Sequence, residues 1–406
     1  MRFHILGLGS IGSLLAHNLR RVLPKEHSIT LIHKTQNQAA EALTRGGAIH
    51  VENQGLVSTT TGFRSEVFEA SSTPSDPKKS KRKKHAQKLG GPDAIESLFI
   101  TTKAHHTLPA IRRLLPRLSS NTTVVLLQNG MGIYEELTHD IFRNPEQRPH
   151  FILATNTHGA FRKGSHNIVH AGVGNIAFGI VPDPLGRNFE AGFENKTVPR
   201  TEQNPRISDI SPSADDPSFD RYKSLRGTVA AMLLMEPLNV SWRPIAQVQT
   251  AMRRKLVVNA VINPLTALMG CRNGGIFTTT AARRILQRVC QEASDVFAAQ
   301  IKADNKTWLE SLAADGVDTN RVPVERLPRS LTRSLLEDEI LHVAEVTKGN
   351  ISSMLSDVRR GIPTEIDYIN GYLLKLGSTY HVDMPATAML LNLVKMRSAI
   401  PLDQML

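Results

Sequence analysis

The sequence predicts an α/β domain with a mostly parallel sheet, followed by an all-α domain, and three observations indicate this order. Residues 2–154 alternate strand-like apolar runs with helical patterns, as in a doubly wound sheet. A glycine-rich turn joins the first strand to the first helix. From Ile245 onward the apolar residues recur at helical spacing. We therefore place residues 1–243 in the first domain and residues 244–406 in the second.

Composition narrows the class of protein. The 406-residue chain is 40% hydrophobic, which allows a sizeable core. Its two cysteines, Cys271 and Cys290, provide neither a disulfide framework nor a metal cluster, so we predict no metal site and a reducing compartment. No run of about 18 apolar residues is present, so no membrane association is expected. A strand that starts at residue 2 leaves no room for a cleaved leader, and we expect a cytoplasmic protein.

The net charge of +12 raises the question of nucleic-acid binding. Six of the basic residues lie in one Pro/Ser/Lys-rich run, namely Lys78, Lys79, Lys81, Arg82, Lys83 and Lys84. We interpret residues 70–93 as a solvated, disordered insertion, although nuclear import or RNA contact is an open alternative. Aromatic residues make up only 5% of the chain, which gives little support to base stacking. Nucleic acid is therefore not an expected partner.

The strand Arg2–Leu6 leads into a G-x-G-x-x-G motif that opens a helical pattern. In a Rossmann-like domain the first glycine permits the tight turn, the second lets the backbone approach a pyrophosphate, and the third lets helix and strand pack closely. The free N–H groups at the start of the helix attract the anion. The predicted cofactor contacts here are Gly7, Leu8, Gly9, Ser10, Ile11 and Gly12.

The second predicted strand, His27–His33, bears on the choice of cofactor. NAD enzymes usually place an acid after this strand to bind the ribose 2′-hydroxyl. Here Lys34 follows the strand, and the first acid is Glu41. A cation suits a 2′-phosphate, so NADPH/NADP+ is favoured over NAD(H). A lysine that is merely solvated is the alternative.

Polar residues also follow later strands of the predicted sheet. Lys103 follows the strand Ile95–Thr102, and Asn129 comes shortly after the strand Thr122–Leu127. Because strand carboxyl ends face the ligand crevice in doubly wound sheets, both side chains are candidate ligand contacts. Residues 182–222 are rich in Pro, Asn, Asp and Ser, and we expect a second disordered insertion there.

The helix that opens the second domain, predicted over Ala251–Arg272, carries an unusual polar row. Lys255, Asn259 and Asn263 recur every four residues and share one face among apolar neighbours. Buried amine and amide groups need partners, and a polar ligand is one possibility. A snorkelling lysine with asparagines bonded to backbone is the other.

Several segments in order resemble the ketopantoate reductase (2-dehydropantoate 2-reductase) family. They are GLGSIG, TTKAHHT, LLQNGMG, ATNTHGAFRKG, RRKLVVNAVINPLTALMGC and NISSMLSDVRRGIPTEIDYINGYLL. The resemblance implies NADPH-dependent reduction of 2-dehydropantoate to pantoate, towards pantothenate and coenzyme A. It also implies a helical second domain like the C-terminal domain of 6-phosphogluconate dehydrogenase, with the active site between the two domains.

The resemblance also assigns roles to individual residues. It implies a catalytic role for Lys255 and cofactor contacts at the glycine motif, Lys34, Lys103 and Asn129. The implied substrate-binding residues are Asn129, Asn259, Asn263, Ser353 and Glu365. The family commonly has an arginine where Lys34 stands, so the cofactor preference of this chain is expected to be less strict. Glu365 could equally be an acid that stabilises a helix N-terminus.

Two other functions remain open at this point. One is reduction of another 2-keto or 3-hydroxy acid on the same architecture. The other is a non-catalytic, RNA-associated descendant, which would be expected to lose Lys255, Asn259 or Glu365, yet all three are present. The expected partner is a small keto acid, and a homodimer is left open.

Overall fold

The computed structural model describes residues 1–44, 46–67, 94–194, 197, 199, 203–212 and 214–400. The chain divides into two compact units. The first comprises residues 1–128 and 134–248, and the second comprises residues 129–133 and 249–406. The sequence predicts the boundary at residue 243. The sequence contains no indication that residues 129–133 belong to the second unit.

A mostly parallel sheet forms the centre of the first unit. The strands described in this unit are β1 (Arg2–Leu6), β2 (Ser28–His33), β3 (Ile49–Asn53), β4 (Leu56–Thr60), β5 (Arg64–Val67), β6 (Ser97–Ile100), β7 (Thr123–Leu126), β8 (His150–Asn156), β9 (Gly159–Gly164), β10 (Asn167–Gly172), β11 (Ile176–Ile180) and β12 (Val240–Trp242). Over the described residues, eight of them pair in the order β12-β11-β8-β7-β6-β1-β2-β5. Among the described pairings of this sheet, only that of β8 with β11 is antiparallel, so β11 and β12 run opposite to the other six strands. The predicted mostly parallel sheet is confirmed.

Helices accompany the strands of this unit. They are α1 (Ser10–Val22), α2 (Gln36–Thr44), α3 (Thr107–Leu114), α4 (Ile133–Asp140), α5 (Ala191–Glu194), α6 (Ile207–Ile210) and α7 (Phe219–Leu233). Strands β1, β6, β7 and β8 are almost entirely buried, which explains their continuous apolar runs. The core joins α1 and α7 to the sheet through side chains such as Leu15, Leu19, Phe99 and Val229.

A second sheet of four strands, in the order β4-β3-β10-β9, packs against α1 and was not predicted. Strands β3 and β4 form a hairpin whose turn residues Gln54 and Gly55 both have positive φ, at 50° and 80°. That geometry is typical of a type I′ turn, which usually carries Asn or Asp at its first position. Because glutamine replaces them here, the hairpin signal is weak in the sequence.

The described part of residues 182–222 is packed rather than disordered, contrary to our expectation. It contains α5, α6 and the start of α7, and it buries Phe189, Ile210 and Tyr222 in the core. The Tyr222 hydroxyl donates to Asp183 at 2.5 Å, and the Arg187 guanidinium lies 4.5 Å from the centre of the Tyr222 ring. These apolar residues are few and far apart in the segment, so its average composition is polar and did not predict that it packs into the core. The basic run expected near residues 70–93 lies outside the described residues.

The second unit is built from helices. They are α8 (Ile245–Met269), α9 (Thr280–Ala314), α10 (Arg333–Val346), α11 (Ser353–Arg359), α12 (Ile366–Tyr380) and α13 (Pro385–Ala399). The described residues of this unit contain no strand, which confirms the predicted all-α domain. Its core surrounds α8 with apolar side chains of the other helices, including Val296, Ile340 and Leu373. Among the described residues, no helix has the length and apolar character needed to cross a membrane.

We predict that packing of residues 182–222 stabilises the first unit. Phe189 is 3% exposed, so Phe189→Ala should lower the free energy of unfolding by roughly 3–5 kcal/mol through the cavity it leaves. Leu185, in the same segment, is 58% exposed, and Leu185→Ala should change it by less than about 0.5 kcal/mol. Denaturant titration measures both. Equal stability of the two variants would show that the segment contributes no packing energy.

Candidate active site

The glycine motif forms the turn between β1 and α1 that its spacing predicts. Gly7 has a φ of +103°, which favours glycine, and a Cβ there would collide with the backbone of Thr102. A Cβ on Gly12 would collide with the Gly7 carbonyl and the Thr101 side chain. By contrast, a Cβ on Gly9 would meet no atom within 4 Å. Gly7 and Gly12 are therefore needed for the fold of the turn, whereas Gly9 faces open space.

The start of α1 suits an anionic ligand. Gly9 is its N-cap residue and makes no side-chain capping bond, and the first turn contains no acidic residue. The N–H groups of the first turn of a helix, here at Ser10 and Ile11, have no partner within the helix, and the helix dipole favours negative charge there. The open space beside Gly9 thus adjoins N–H donors. A dinucleotide pyrophosphate fits this combination.

Two lysines lie at the same edge of the large sheet as this turn. Lys34 directly follows β2, and Lys103 comes shortly after β6. Strands β2 and β6 flank β1 and run parallel to it, so all three carboxyl ends share one edge. The Lys34 side chain is exposed, and Lys103 is half-buried. The first unit therefore brings the predicted glycine and lysine contacts to one edge of its sheet.

Helix α8 carries the polar row of the second unit. Lys255 and Asn259 are half-buried, and Asn263 is 6% exposed. The residues between them, among them Val257 and Val261, are fully buried. The helix thus has the apolar surroundings that the sequence predicted, with three polar side chains on one face.

The ammonium of Lys255 is electrostatically coupled to Glu365, the N-cap residue of α12. Burial lowers the pKa of Lys255 from 10.5 to about 8, and the negative charge of Glu365 acts in the opposite direction. Glu365 is 6% exposed and makes no side-chain capping bond, so local helix capping does not account for this buried carboxylate. The two residues of the second unit that are predicted to carry the chemistry thus interact.

Ser353 begins α11, and its side chain is exposed. The preceding residue, Ser352, is buried and caps the helix by accepting from the Leu355 N–H at 3.1 Å. The hydroxyl of Thr266 on α8 lies 2.7 Å from the Ser352 hydroxyl. This buried contact fixes the start of α11 against α8. Sequence reasoning missed Thr266 and Ser352, although a serine directly before a helical pattern is a capping signal.

Asn129 begins the short segment that belongs to the second unit. The N–H of Met131 donates to the Tyr368 carbonyl on α12 at 3.0 Å. Gly130 has a φ of +83°, and a Cβ there would lie 2.5 Å from the same carbonyl oxygen. The segment therefore approaches α12 so closely that only glycine fits. Asn129 is half-buried beside this contact.

The predicted residues fall into two sets, one in each unit. The first unit holds Gly7, Leu8, Gly9, Ser10, Ile11, Gly12, Lys34 and Lys103, and the second holds Asn129, Lys255, Asn259, Asn263, Ser353 and Glu365. Across the residues that the structure describes, no group of three or more His, Cys, Asp or Glu side chains is arranged to hold a metal ion. The described residues thus suit a site built from amine, amide and carboxylate groups.

Two family models match the chain. Residues 3–183 match the model of ketopantoate reductase PanE/ApbA, and residues 247–398 match the model of the ketopantoate reductase PanE/ApbA C terminal. The two matches cover the glycine motif, Lys34 and Lys103, Asn129, and every predicted site residue of α8, α11 and α12.

Individual relatives agree with this assignment. The chain is 30% identical to the 2-dehydropantoate 2-reductase of Salmonella typhimurium over 304 residues, which cover 75% of each chain. It is 25% identical to a probable 2-dehydropantoate 2-reductase of Schizosaccharomyces pombe, over 96% of this chain and 95% of that protein. Among solved structures, D-mandelate dehydrogenase with NADH and anilino(oxo)acetate has a TM-score of 0.63 and 16% identity, over 98% of both chains. This last likeness concerns the fold alone.

Substitutions in the glycine motif should separate ligand binding from folding. Gly9→Ala should weaken NADPH binding at least about tenfold, because the added methyl group occupies the space next to the α1 N–H groups. The free energy of unfolding of the unliganded Gly9→Ala protein should differ from that of the unsubstituted protein by less than about 1 kcal/mol. Gly7→Ala should instead destabilise the unliganded protein, because of its positive φ and the collision with Thr102. Fluorescence titration and denaturant unfolding measure these effects. Unchanged NADPH affinity in Gly9→Ala would place the cofactor elsewhere.

Proposed function

The chain belongs to the ketopantoate reductase family, and on that premise we propose that it reduces 2-dehydropantoate to pantoate with NADPH. This reaction is a step towards pantothenate and coenzyme A. The observation that carries the proposal is the half-buried Lys255 on α8, whose pKa is lowered towards neutrality and whose charge is coupled to Glu365. A group of this kind is suited to proton donation near pH 7.

The chemistry of ketone reduction explains why a lysine is needed. Bound NADPH would supply a hydride to the keto carbon. Negative charge then grows on the carbonyl oxygen, and the Lys255 ammonium stabilises that charge and donates the proton that completes the alcohol. A pKa of about 8 makes Lys255 a stronger acid than an ordinary lysine while leaving it mostly protonated at pH 7.

The remaining polar residues of the second unit are proposed to hold the substrate. Asn259 and Asn263 follow Lys255 along one face of α8, and their amides can donate to carboxylate or hydroxyl oxygens. The Glu365 carboxylate can accept a hydrogen bond from the substrate hydroxyl. Asn129 and Ser353 are proposed as further contacts. Asn129 lies in the segment held by α12, and Ser353 presents an exposed hydroxyl at the start of α11.

A preference for NADPH over NADH is proposed from the end of β2. His33 is buried, and burial lowers its pKa to about 4, so its ring is neutral at pH 7. Lys34 is consequently the cation that directly follows β2, and its exposed side chain is free to move toward a 2′-phosphate. Lysine binds phosphate as a point charge without the paired donors of arginine, so a moderate preference is expected.

A second candidate function is reduction of a different 2-keto acid. The observation that favours it is the likeness in fold to D-mandelate dehydrogenase, whose structure contains NADH and anilino(oxo)acetate. The polar row on α8 would recognise the keto acid group in either case. The side chains that surround the rest of the substrate decide between a branched and an aromatic acid.

The decisive experiment measures oxidation of NADPH and NADH with a panel of 2-keto acids. Ketopantoate should give the highest kcat/KM of the panel, and kcat/KM should be higher with NADPH than with NADH.

Lys255→Ala should lower kcat by roughly 10²–10⁴-fold while NADPH affinity is retained. The matched control is Arg254→Ala, because Arg254 pairs with Glu339 on α10 at 2.7 Å and should not affect turnover. Normal turnover in Lys255→Ala would remove Lys255 from the mechanism, and a higher kcat/KM for an aromatic acid would favour the second function.

The pH dependence of kcat should report the ionisation of Lys255. The proton donor must be in its ammonium form, so kcat should fall as pH rises through about 8, approaching tenfold per pH unit. Because the charge of Glu365 raises the pKa of Lys255, Glu365→Gln should move this fall to lower pH. Glu339→Gln removes a carboxylate that pairs with Arg254 and should leave the profile in place. Profiles at saturating substrate measure this. If kcat falls at the same pH in the unsubstituted protein, in Glu365→Gln and in Glu339→Gln, the proposed coupling is wrong.

A further inference from the structure

Helix α8 contains a proline directly after the last asparagine of its polar row. Pro264 has no N–H, so it cannot donate to the carbonyl of Ala260, the residue one turn earlier. Ala260 is fully buried, so its carbonyl cannot turn to solvent for a replacement donor. A buried backbone carbonyl nearly always has a partner. The hydrogen bond that Pro264 cannot make to the Ala260 carbonyl therefore has to come from a donor elsewhere in the fold.

The missing donor is the side chain of Asn370 on α12. Its Nδ2 donates to the Ala260 carbonyl at 3.0 Å, although the two residues are 110 positions apart in sequence. Only the amide nitrogen can face a carbonyl oxygen, which fixes the orientation of the side chain. Asn370 is fully buried, and its Oδ1 has no hydrogen-bond partner among the described residues. The Nδ2 of Asn370 therefore donates to α8, while its Oδ1 is left without a partner among the described residues.

This bond is close in sequence to both groups that carry the proposed chemistry. Ala260 comes five positions after Lys255 on α8, and Asn370 comes five positions after Glu365 at the start of α12. Five residues of helix span only about 7–8 Å. Nearby on α12, the Tyr368 carbonyl holds the Met131 N–H. A shift of α12 along α8 would therefore displace Glu365 from Lys255.

We propose that Asn370 is a positioning residue: by donating to the carbonyl that Pro264 leaves open, it fixes the Glu365 carboxylate relative to the Lys255 ammonium. This role rests on the functions proposed above for Lys255 and Glu365. Glu365 is the charged group whose field acts on Lys255, while the neighbouring cation on α8, Arg254, is paired with Glu339 of α10. Pro264 and Asn370 thus act as one unit, since either one alone leaves a buried polar group without its partner.

The first test is a double-mutant cycle on unfolding. Asn370→Ala should raise the unfolding equilibrium constant roughly tenfold, because the Ala260 carbonyl loses its donor. In a Pro264→Ala background the restored N–H can satisfy that carbonyl, so the same change should have little effect. Leu373→Ala is the control, because Leu373 is equally buried on α12 but makes no such bond. Its effect should be the same in both backgrounds. Additive effects of Pro264→Ala and Asn370→Ala would overturn the proposal.

The second test measures the pKa of Lys255 without relying on catalysis. NMR titration of the Lys255 side chain, assigned by its loss in Lys255→Ala, should show a lower pKa in Asn370→Ala. The change should be at least half of that produced by Glu365→Gln. Pro264→Ala should act in the same direction, which keeps the test available should Asn370→Ala not fold. Leu373→Ala should leave the pKa unchanged, since it lowers stability without touching the bond.

The outcomes separate the two proposals. A shifted pKa in Glu365→Gln together with an unshifted one in Asn370→Ala would refute the positioning role alone. An unshifted pKa in both variants would refute it as well, because the coupling it serves would be absent. Failure of the unsubstituted protein to reduce any keto acid would refute the proposed function and would leave the cycle and the titration to judge the structural claim.

Discussion

Burial of the Lys255 ammonium is the constraint on which the second unit depends. Lowering its pKa from 10.5 to about 8 corresponds to about 3 kcal/mol in favour of the neutral amine. This figure already includes the opposing effect of the Glu365 carboxylate, which lies on a different helix and is itself buried. A charge pair of this kind is useful only when its geometry is fixed, because a displaced partner leaves a buried charge uncompensated. The arrangement of α8 and α12 therefore has to be accurate as well as stable.

Specific polar contacts provide that accuracy where apolar packing alone would allow sliding. Thr266 ties α8 to the Ser352 cap of α11, and Asn370 ties α8 to α12. Each contact uses a buried polar group, which is costly when its partner is absent. The helices are consequently held in one register. The site residues predicted from the sequence lie on these helices, whereas the contacts that position the helices are made by other residues.

The sequence predicted those features that depend on neighbouring residues along the chain. The glycine motif, the buried parallel strands and the polar face of α8 are all local patterns, and the fold contains each of them. In the second sheet only the pairing of β3 with β10 joins distant parts of the chain, and the turn signal of its β3–β4 hairpin is weak. The packing of residues 182–222 depends on a core whose other members lie far away in the chain. Asn370 could not have been found in this way, because its bond spans 110 residues. The sequence did contain one hint, since a proline within a helical pattern leaves a carbonyl without its donor.

The excursion of Asn129–Ile133 into the second unit affects how the chain can be divided. An expressed fragment beginning at Gln249 would lack the Met131 amide that caps the Tyr368 carbonyl, and it would expose the surface beside Gly130 to water. During synthesis this stretch leaves the ribosome long before α12 exists to receive it. Completion of the C-terminal half therefore requires a piece of chain made much earlier, and dissection at the apparent boundary would yield an incomplete module.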